Sequence, residues 1–452
     1  MRPVVRVFWG FLALTAVLWL LVEDLPAPSA GLLAMRGSMV QLSGVLAIGC
    51  MSLAVILAAR PRWPERLLGG LDRMYRLHKW LGVAALALAT MHWLWAKGPK
   101  WAAALGLLER RARGPRPPAD GELEQLFRSM RGTAETAGEW AFYGVALLVI
   151  VALARRIPYH VFCRTHRLVA VLYLALVFHA VILARFSYWT TPLGLLLGAL
   201  LACGAVAAAM SLTRRIGAGR KVKGEITRLH YYPGLRVLEG EIAVPHGWPG
   251  HRAGQFAFLS GDPATEDPHP FTIASAWDPQ ARRLKFLTRE LGDFTGALRQ
   301  RLRVGQRVVV EGPYGCFTFD DDRPAQVWVA GGIGVTPFIA RMHDLALRRR
   351  AGPDAAPRQE IHLFHATPDD SPEGEARLRQ DAEAAGVTLH VVNSRRDGRL
   401  TGERIRAMAP RWREASIWFC GPPAFGAALR RDFARHGVDT ARRFHQELFD
   451  MR

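Results

Sequence analysis

Cysteine is scarce in this sequence, and its positions exclude two kinds of cysteine-stabilised domain. The chain has 452 residues but only five cysteines. They lie far apart, and none has the spacing of a zinc-binding or disulfide motif. A disulfide framework and a cysteine-based metal site are therefore not expected.

Acidic residues are also few relative to basic ones, and the excess of positive charge follows a membrane pattern. Lys and Arg number 59 against 39 Asp and Glu, which gives a formal charge of +20. The basic residues concentrate in segments 60–79, 155–167 and 214–223, which are alternate loops between apolar segments. This distribution obeys the positive-inside rule with both termini cytoplasmic, so the charge does not indicate nucleic-acid binding.

Long apolar runs are absent after about residue 221, whereas the first 213 residues contain six. They span residues 4–22, 39–59, 80–96, 140–154, 161–184 and 193–212. Each approaches the roughly 20 residues that cross a bilayer, which predicts a six-helix bundle in the plasma or inner membrane. The first run also resembles a cleaved signal peptide, but its long apolar core favours a retained helix. Residues 97–137 are predicted to form a long, charged extracytoplasmic loop.

Four histidines lie inside predicted spans, where ionisable side chains are costly and mark function. His78 and His92 are fourteen residues apart on the third run, and His166 and His179 are thirteen apart on the fifth. A helix rises 1.5 Å per residue, so the gaps are about 21 and 19.5 Å. Both runs cross in the same direction, which pairs His78 with His166 and His92 with His179 in depth. Ordinary hydrogen-bonded core histidines are the alternative.

Two facing imidazoles in a dry bundle suit the iron of a b-type haem. Zinc would require carboxylate or thiolate partners, and none stands at suitable spacing. The thirteen-residue spacing is a difficulty, because at 100° per residue His179 misses the face of His166 by about 140°. Tyr173 and Phe178 could lie beside the haems or pack in the core.

The second half of the chain contains two patterns of strands, one after the other. Short strands such as 254–260, 283–290 and 307–315 predict an antiparallel β-barrel. From about residue 325 a strand–turn–helix alternation, with buried strands near 361–367, 388–394 and 416–421, predicts a parallel sheet. The turn AGGIGVTP lets the backbone approach a pyrophosphate at a helix N-terminus, although Pro337 replaces the third glycine of the G-x-G-x-x-G pattern.

The combined motifs resemble one family. HPFTIAS (269–275), RELGDFT (289–295), GPYG (312–315), GGIGVTP (331–337) and CGPP (420–423) are similar to the ferredoxin–NADP reductase fold. With the paired histidines, the chain resembles the ferric reductase and NADPH oxidase superfamily. We therefore expect a multi-domain protein: a transmembrane haem-binding bundle (1–213), a basic linker (214–223), an FAD-binding β-barrel (224–322) and an NAD(P)-binding α/β domain (323–452).

The resemblance implies a role for each matching residue. His78, His92, His166 and His179 would ligate two b-type haems. The FAD isoalloxazine and ribityl chain would contact His269, Pro270, Phe271, Thr272 and Ser275. The FAD pyrophosphate would contact Arg289, Gly292, Asp293, Phe294 and Thr295. NAD(P)H would contact Gly332, Gly334, Thr336 and Pro337. Cys420, Gly421 and Pro422 would flank the nicotinamide, and Phe449, or failing that Phe444, would stack on the flavin.

Coenzyme choice depends on the segment after the third parallel strand. Ser394, Arg395 and Arg396 suit the 2′-phosphate of NADPH, whereas Asp397 would suit the ribose of NADH. NADPH is favoured, and NADH stays open.

The expected activity is electron transfer from cytosolic NAD(P)H through FAD and the two haems to an extracytoplasmic small molecule. Ferric chelates are the favoured acceptor, and oxygen, giving superoxide, is the main alternative. A haem-binding membrane sensor and a membrane-tethered flavin reductase are the competing functions.

Overall fold

The computed structural model describes residues 2–27, 32–107, 121–154, 157, 159–261, 267–352 and 359–447. They form two compact units. The first unit contains residues up to 69 and residues 73–216, and the second contains residues 70–72 and the chain from 217 onward. The border at 216/217 lies within the predicted linker, and the finer division of the second unit into two domains stays a prediction.

The described part of the first unit is helical. Its helices are α1 (Arg2–Leu20), α2 (Leu32–Ala58), α3 (Arg62–Leu68), α4 (Leu71–Ala104), α5 (Glu122–Leu153), α6 (Tyr159–Arg167), α7 (Val169–Leu183) and α8 (Pro192–Leu212). Each of the six apolar runs lies within one of these helices to within two residues, except that the fifth run is divided between α6 and α7.

Five stretches of the described helices are long and apolar enough to cross a membrane. They are Pro3–Leu20, Ala34–Ala58, Glu122–Leu153, Val161–Leu183 and Pro192–Leu212. Helix α4 has 34 residues, but its apolar middle is flanked by lysines and contains His92. It is not among the five, so the count of six spans stays a prediction.

The prediction of one long loop over residues 97–137 is wrong at both ends. Helix α4 continues to Ala104, and α5 begins at Glu122. Arg128 pairs with Glu124 and Arg131 pairs with Glu135, each one turn along α5, at 2.5 and 2.9 Å. Such i,i+4 pairs stabilise a helix in water, so α5 begins well before its apolar part.

Tyr173 joins three helices in the core of the first unit. It is fully buried on α7, and its hydroxyl donates to the Ser52 hydroxyl of α2 at 2.8 Å. Its ring packs against Gly204 of α8, where a Cβ would overlap the phenol. The residue thus packs in the core, the second of the two interpretations open for it.

A buried polar network holds the end of α1. The Tyr188 hydroxyl donates to the carboxylate of Glu23, whose side chain is fully buried, and accepts from the Trp19 indole at 3.1 Å. Arg185 pairs with the same carboxylate at 2.9 Å. A buried charge without partners would cost several kcal/mol, so these contacts keep the network together.

The second unit contains two sheets. The antiparallel sheet has the order β4-β3-β6-β1-β2-β5, from β1 (Lys221–Tyr232), β2 (Val237–Ala243), β3 (Phe256–Ser260), β4 (His269–Thr272), β5 (Arg283–Arg289) and β6 (Arg307–Tyr314). Helix α9 (Asp293–Arg301) follows β5. Ile273 bridges to Phe286 and so links the two edge strands. The antiparallel sheet is confirmed, and its closure into a barrel stays a prediction.

The parallel sheet is also confirmed. Its strands are β7 (Ala325–Gly331), β8 (Glu360–Thr367), β9 (Thr388–Asn393), β10 (Ser416–Cys420) and β11 (Phe444–Gln446). The helices of this region are α10 (Thr336–Ala351), α11 (Pro372–Ala385), α12 (Gly402–Met408), α13 (Pro423–Arg435) and α14 (Thr440–Arg443). The order β11-β10-β7-β8-β9 reverses direction between β7 and β10. Ligands of such sheets bind at this switch point, beyond the strand carboxyl ends.

Candidate functional site

The four membrane histidines form two facing pairs. The ring centres of His78 and His166 are 6.0 Å apart at an interplanar angle of 77°. Those of His92 and His179 are 6.1 Å apart at 82°. The pairing expected from depth alone is therefore present in the folded bundle.

These separations match two imidazoles bound on opposite sides of one metal ion. A metal–imidazole bond is about 2.0–2.1 Å and the bonded nitrogen lies about 1.1 Å from the ring centre, so two rings that face each other across one ion would have centres about 6.2–6.4 Å apart. Among the described residues, no group of three or more His, Cys, Asp or Glu side chains could hold a metal ion. A site with two protein ligands suits haem, whose porphyrin supplies the other four donors.

Three of the four rings are oriented by backbone carbonyls. The Nδ1–H group of His78 donates to Ala54 at 2.8 Å, that of His92 to Val40 at 2.9 Å, and that of His179 to Ala134 at 2.8 Å. A carbonyl can only accept, so the proton resides on Nδ1. The opposite nitrogen, Nε2, therefore carries the lone pair that binds a metal, which is the usual arrangement of a metal-ligating histidine.

The fourth ring, His166, differs from the other three. Its Nδ1 atom is buried, and within the described part of the chain it has no hydrogen-bond partner. The Phe162 ring, one helical turn earlier, stacks on it at 5.1 Å and 21°.

Two glycines leave room for the pair formed by His92 and His179. A Cβ at Gly138 of α5 would overlap the His179 imidazole, and a Cβ at Gly44 of α2 would lie 3.1 Å from His92. Sequence reasoning missed both glycines as well as the three carbonyl acceptors. The signal was weak, because a glycine in an apolar helix has many explanations and every residue has a carbonyl.

The helix that carries His166 and His179 is interrupted between the two residues. Helix α6 ends at Arg167 and α7 begins at Val169, with Leu168 in a turn between them. The Leu168 amide bonds to the Thr165 carbonyl, which is an i→i−3 rather than an i→i−4 bond. A tighter turn changes the azimuth of everything that follows, so the ideal-helix angle does not apply between His166 and His179.

The residues expected to hold the flavin gather around β4, β5 and the start of α9. His269 and Phe294 stack face to face at 3.6 Å and 8°. Phe271 and Phe294 also line an apolar cavity of about 80 Å³ beneath the antiparallel sheet. The Ser275 hydroxyl accepts from the Lys285 amide at 3.1 Å, which fixes the chain after β4.

The predicted pyrophosphate segment forms a helix N-terminus. Asp293 begins α9 after Gly292, and the Thr295 hydroxyl accepts from the amides of Leu291 and Gly292. Arg289, at the end of β5, pairs with Asp369 at 2.9 Å and lies 3.3 Å from where a Gly332 Cβ would be. The predicted flavin and dinucleotide segments therefore approach each other at Arg289.

The dinucleotide segment sits at the switch point of the parallel sheet. Gly331 ends β7, and a Cβ on Gly421 would lie 3.0 Å from it. A Cβ on Gly334 would overlap the Cys420 carbonyl, and Pro422 packs on Gly331. Gly332 adopts φ +56°, a left-handed conformation that favours glycine. Thr336 and Pro337 then begin α10.

The loop after β9 has a defined structure. Asp397 accepts the Asn393 amide at 2.9 Å and the Arg396 side chain at 2.9 Å. Together these hydrogen bonds lower the pKa of the Asp397 carboxyl. Ser394 is half-buried, whereas Arg395 and Arg396 are exposed.

Comparisons with known proteins match both units. Residues 43–177 match the ferric reductase like transmembrane component, and residues 225–318 match an FAD-binding domain. Ferric reduction oxidase 2 of Arabidopsis thaliana is 40% identical over 83 residues, which is 17% of this chain and 11% of that protein. Respiratory burst oxidase homolog protein E of the same plant is 29% identical over 222 residues, 43% of this chain and 22% of that protein. The chain is thus similar to ferric reductase transmembrane components in its first unit and to FAD-binding domains in its second.

A third relative shares a shorter part of the chain. The NADPH oxidoreductase of Mycobacterium tuberculosis is 30% identical over 150 residues, which is 33% of this chain and 37% of that protein. The chain thus spans well under half the length of each of these three relatives.

The C-terminal aromatic expected in this superfamily remains a prediction. Phe449 lies outside the described residues. Phe444, the alternative, is buried in β11 and packs beside Phe419 in the core of the parallel sheet.

Glu447 is a further residue that sequence reasoning missed. Its side chain is buried close to Gly315, and burial raises the pKa of its carboxyl well above the ordinary range. Burial likewise raises the pKa of the Cys420 thiol, because desolvation disfavours the charged form of each group.

Proposed function

We propose that the chain is a transmembrane NAD(P)H-dependent oxidoreductase that passes electrons from FAD through two b-type haems to an extracytoplasmic acceptor. One observation carries the proposal. Two histidine pairs with the separation of trans ligands stand at two depths of a helical unit, in a chain that also has a flavin-type and a dinucleotide-type sheet.

The bound groups would divide the chemistry among them. NAD(P)H supplies a hydride, FAD exchanges two electrons or one, and haem iron exchanges single electrons. His78 and His166 would hold the inner haem, and His92 and His179 the outer one. The segments 269–275 and 289–295 would hold FAD, and the segment 331–337 would receive NAD(P)H.

The basic segments support an orientation with both termini and the second unit in the cytoplasm. In that orientation six spans cross the membrane, and α4 is the third. Its flanking lysines would reach the interfaces, as long basic side chains do at helix ends.

The loop after β9 supports NADPH over NADH. Asp397 is already engaged by the Asn393 amide and by Arg396, so it is poorly placed to bind a ribose diol. Arg395 is exposed beside it and can meet a 2′-phosphate. Arg395→Gln is expected to lower kcat/KM for NADPH by about tenfold and to leave NADH unchanged. Arg399→Gln, in the same loop, is the control.

A ferric chelate is the proposed acceptor, and its support is the similarity to ferric reduction oxidase 2. Attraction of anionic chelates by the basic residues of segment 97–137 would be a weaker argument. Lys97, Arg128 and Arg131 each pair with a glutamate. Oxygen is the second candidate, supported by the similarity to the respiratory burst oxidase homolog.

The decisive experiment adds NADPH to purified protein loaded with FAD under argon and follows the visible haem bands. Reduction of both haems is expected. Haem bands that stay oxidised would indicate a haem sensor, and absence of haem would indicate a tethered flavin reductase. Ferric chelate, or air with a superoxide probe, is then added to the reduced protein to identify the acceptor.

A further inference from the structure

The two histidine pairs are not equivalent in how their rings are held. Both rings of the outer pair donate Nδ1–H to a carbonyl, at 2.9 and 2.8 Å. In the inner pair only His78 does so, at 2.8 Å. Buried polar atoms nearly always have a partner, but the Nδ1 atom of His166 has none among the described residues, which distinguishes the inner pair from the outer.

The polar neighbour of His166 is already engaged. The Thr165 hydroxyl donates to the Val161 and Phe162 carbonyls of its own helix, at 2.8 and 3.2 Å. Its oxygen could still accept a hydrogen bond, but it makes none with the Nδ1 atom of His166.

The His166 imidazole is contacted by the stacked ring of Phe162. Phe162 and His166 are four residues apart on α6, where side chains share one face. Their rings are nearly parallel, at 21°, with centres 5.1 Å apart. Stacking orients the plane of the imidazole, and no residue in the described ranges accepts from its Nδ1 atom. An acceptor on Nδ1 makes a histidine a stronger ligand, so His166 lacks this reinforcement.

We propose that Phe162 is the positioning residue of the inner-haem ligand His166, and that His166 is the axial ligand most easily lost. The proposal rests on the proposed function, because it requires a haem between His78 and His166. It predicts that disturbing Phe162 opens one coordination position on the inner haem and none on the outer haem.

Carbon monoxide binding to the reduced protein tests this directly. Ferrous haem with two histidine ligands excludes carbon monoxide, and loss of one ligand admits it. The variants are Phe162→Leu, which removes the ring, and Phe162→Tyr, which keeps it. Phe178→Leu is the matched control, since Phe178 precedes His179, whose ring is held by the Ala134 carbonyl. Phe162→Met serves in place of Phe162→Leu if the latter does not accumulate.

The expected result is carbon monoxide binding to one of the two haems in Phe162→Leu or Phe162→Met. The wild type, Phe162→Tyr and Phe178→Leu should bind none. In the oxidised Phe162→Leu protein, one of two low-spin electron paramagnetic resonance signals should change. Two unaltered low-spin haems in the Leu or Met variant, or equal binding in Phe178→Leu, would overturn the proposal. A wild-type protein without haem would instead refute the proposed function.

Discussion

Substitution of Gly138 by alanine should remove the outer haem and spare the inner one. Gly138 is buried on α5, and an added Cβ would overlap the His179 imidazole. Alanine gains about 1 kcal/mol over glycine within a helix, whereas a forced methyl in a packed core costs about 1–3 kcal/mol. Because the overlap is with the ring itself, the cost falls on the ligand rather than on the helix.

Gly132→Ala is the matched control for this substitution. Gly132 lies on the same helix, is exposed, and has no atom within 4 Å of its added Cβ. It should therefore show the helix gain alone. Loss of a group that orients a metal ligand already lowers affinity about 10- to 100-fold, and here the ligand itself is displaced, so the haem content of Gly138→Ala should fall from two per chain towards one.

The assay is the haem-to-protein ratio of detergent-purified protein, measured as the pyridine haemochrome, with the thermal midpoint recorded beside it. Gly138→Ala should carry one haem and Gly132→Ala two. Two haems with unchanged spectra in Gly138→Ala would refute the placement of His179 against α5.

Three further predictions concern other parts of the chain. Tyr188→Phe should lower the free energy of unfolding in detergent by about 1–3 kcal/mol, because it removes the hydrogen bond to Glu23. The same substitution in a Glu23→Gln background should have a much smaller effect. Equal effects in the two backgrounds would contradict the hydrogen bond between Tyr188 and Glu23. Gly334→Ala should slow FAD reduction by NADPH about 100-fold at unchanged FAD content, because its Cβ would overlap the Cys420 carbonyl. Gly219→Ala, whose Cβ would meet no atom within 4 Å, should leave the rate of FAD reduction unchanged. His251, near the Trp248 and Trp277 rings, has its pKa lowered to about 4 by burial. As the pH falls, the unfolded chain therefore binds a proton at His251 before the folded chain does. The stability present above pH 6.5 is lost as the pH falls towards 4, by at most about 3 kcal/mol. The free energy of unfolding of His251→Gln should depend less on pH in this range, and a pH profile equal to that of the wild type would count against the shift.

The histidine pairs could be predicted because helical rise converts sequence spacing directly into depth. The direction in which each histidine points around the helix axis is less predictable, since it depends on every residue between the two histidines being helical. The turn at Leu168 breaks that condition, and no glycine or proline near it signals the break. The acceptor carbonyls of Ala54, Val40 and Ala134 have no sequence signal, because tertiary packing alone brings them to the rings.

The secondary structure of the second unit is easier to predict from sequence than that of the outer end of the first unit. Buried parallel strands appear as continuous apolar runs, and glycines at the switch point are required by close backbone approach. The outer ends of α4 and α5 are polar, which is typical of a loop, and only i,i+4 charge pairs such as Arg128 with Glu124 indicate a helix there.

The near-perpendicular imidazole planes, 77° and 82°, offer the most direct test of the two histidine pairs as haem sites. Low-temperature electron paramagnetic resonance of the oxidised protein should show two low-spin ferric signals of the strongly anisotropic type that perpendicular axial imidazoles produce. His78→Ala should remove one signal and His92→Ala the other. High-spin signals in the wild type, or loss of both signals in each single variant, would contradict two independent bis-histidine haems.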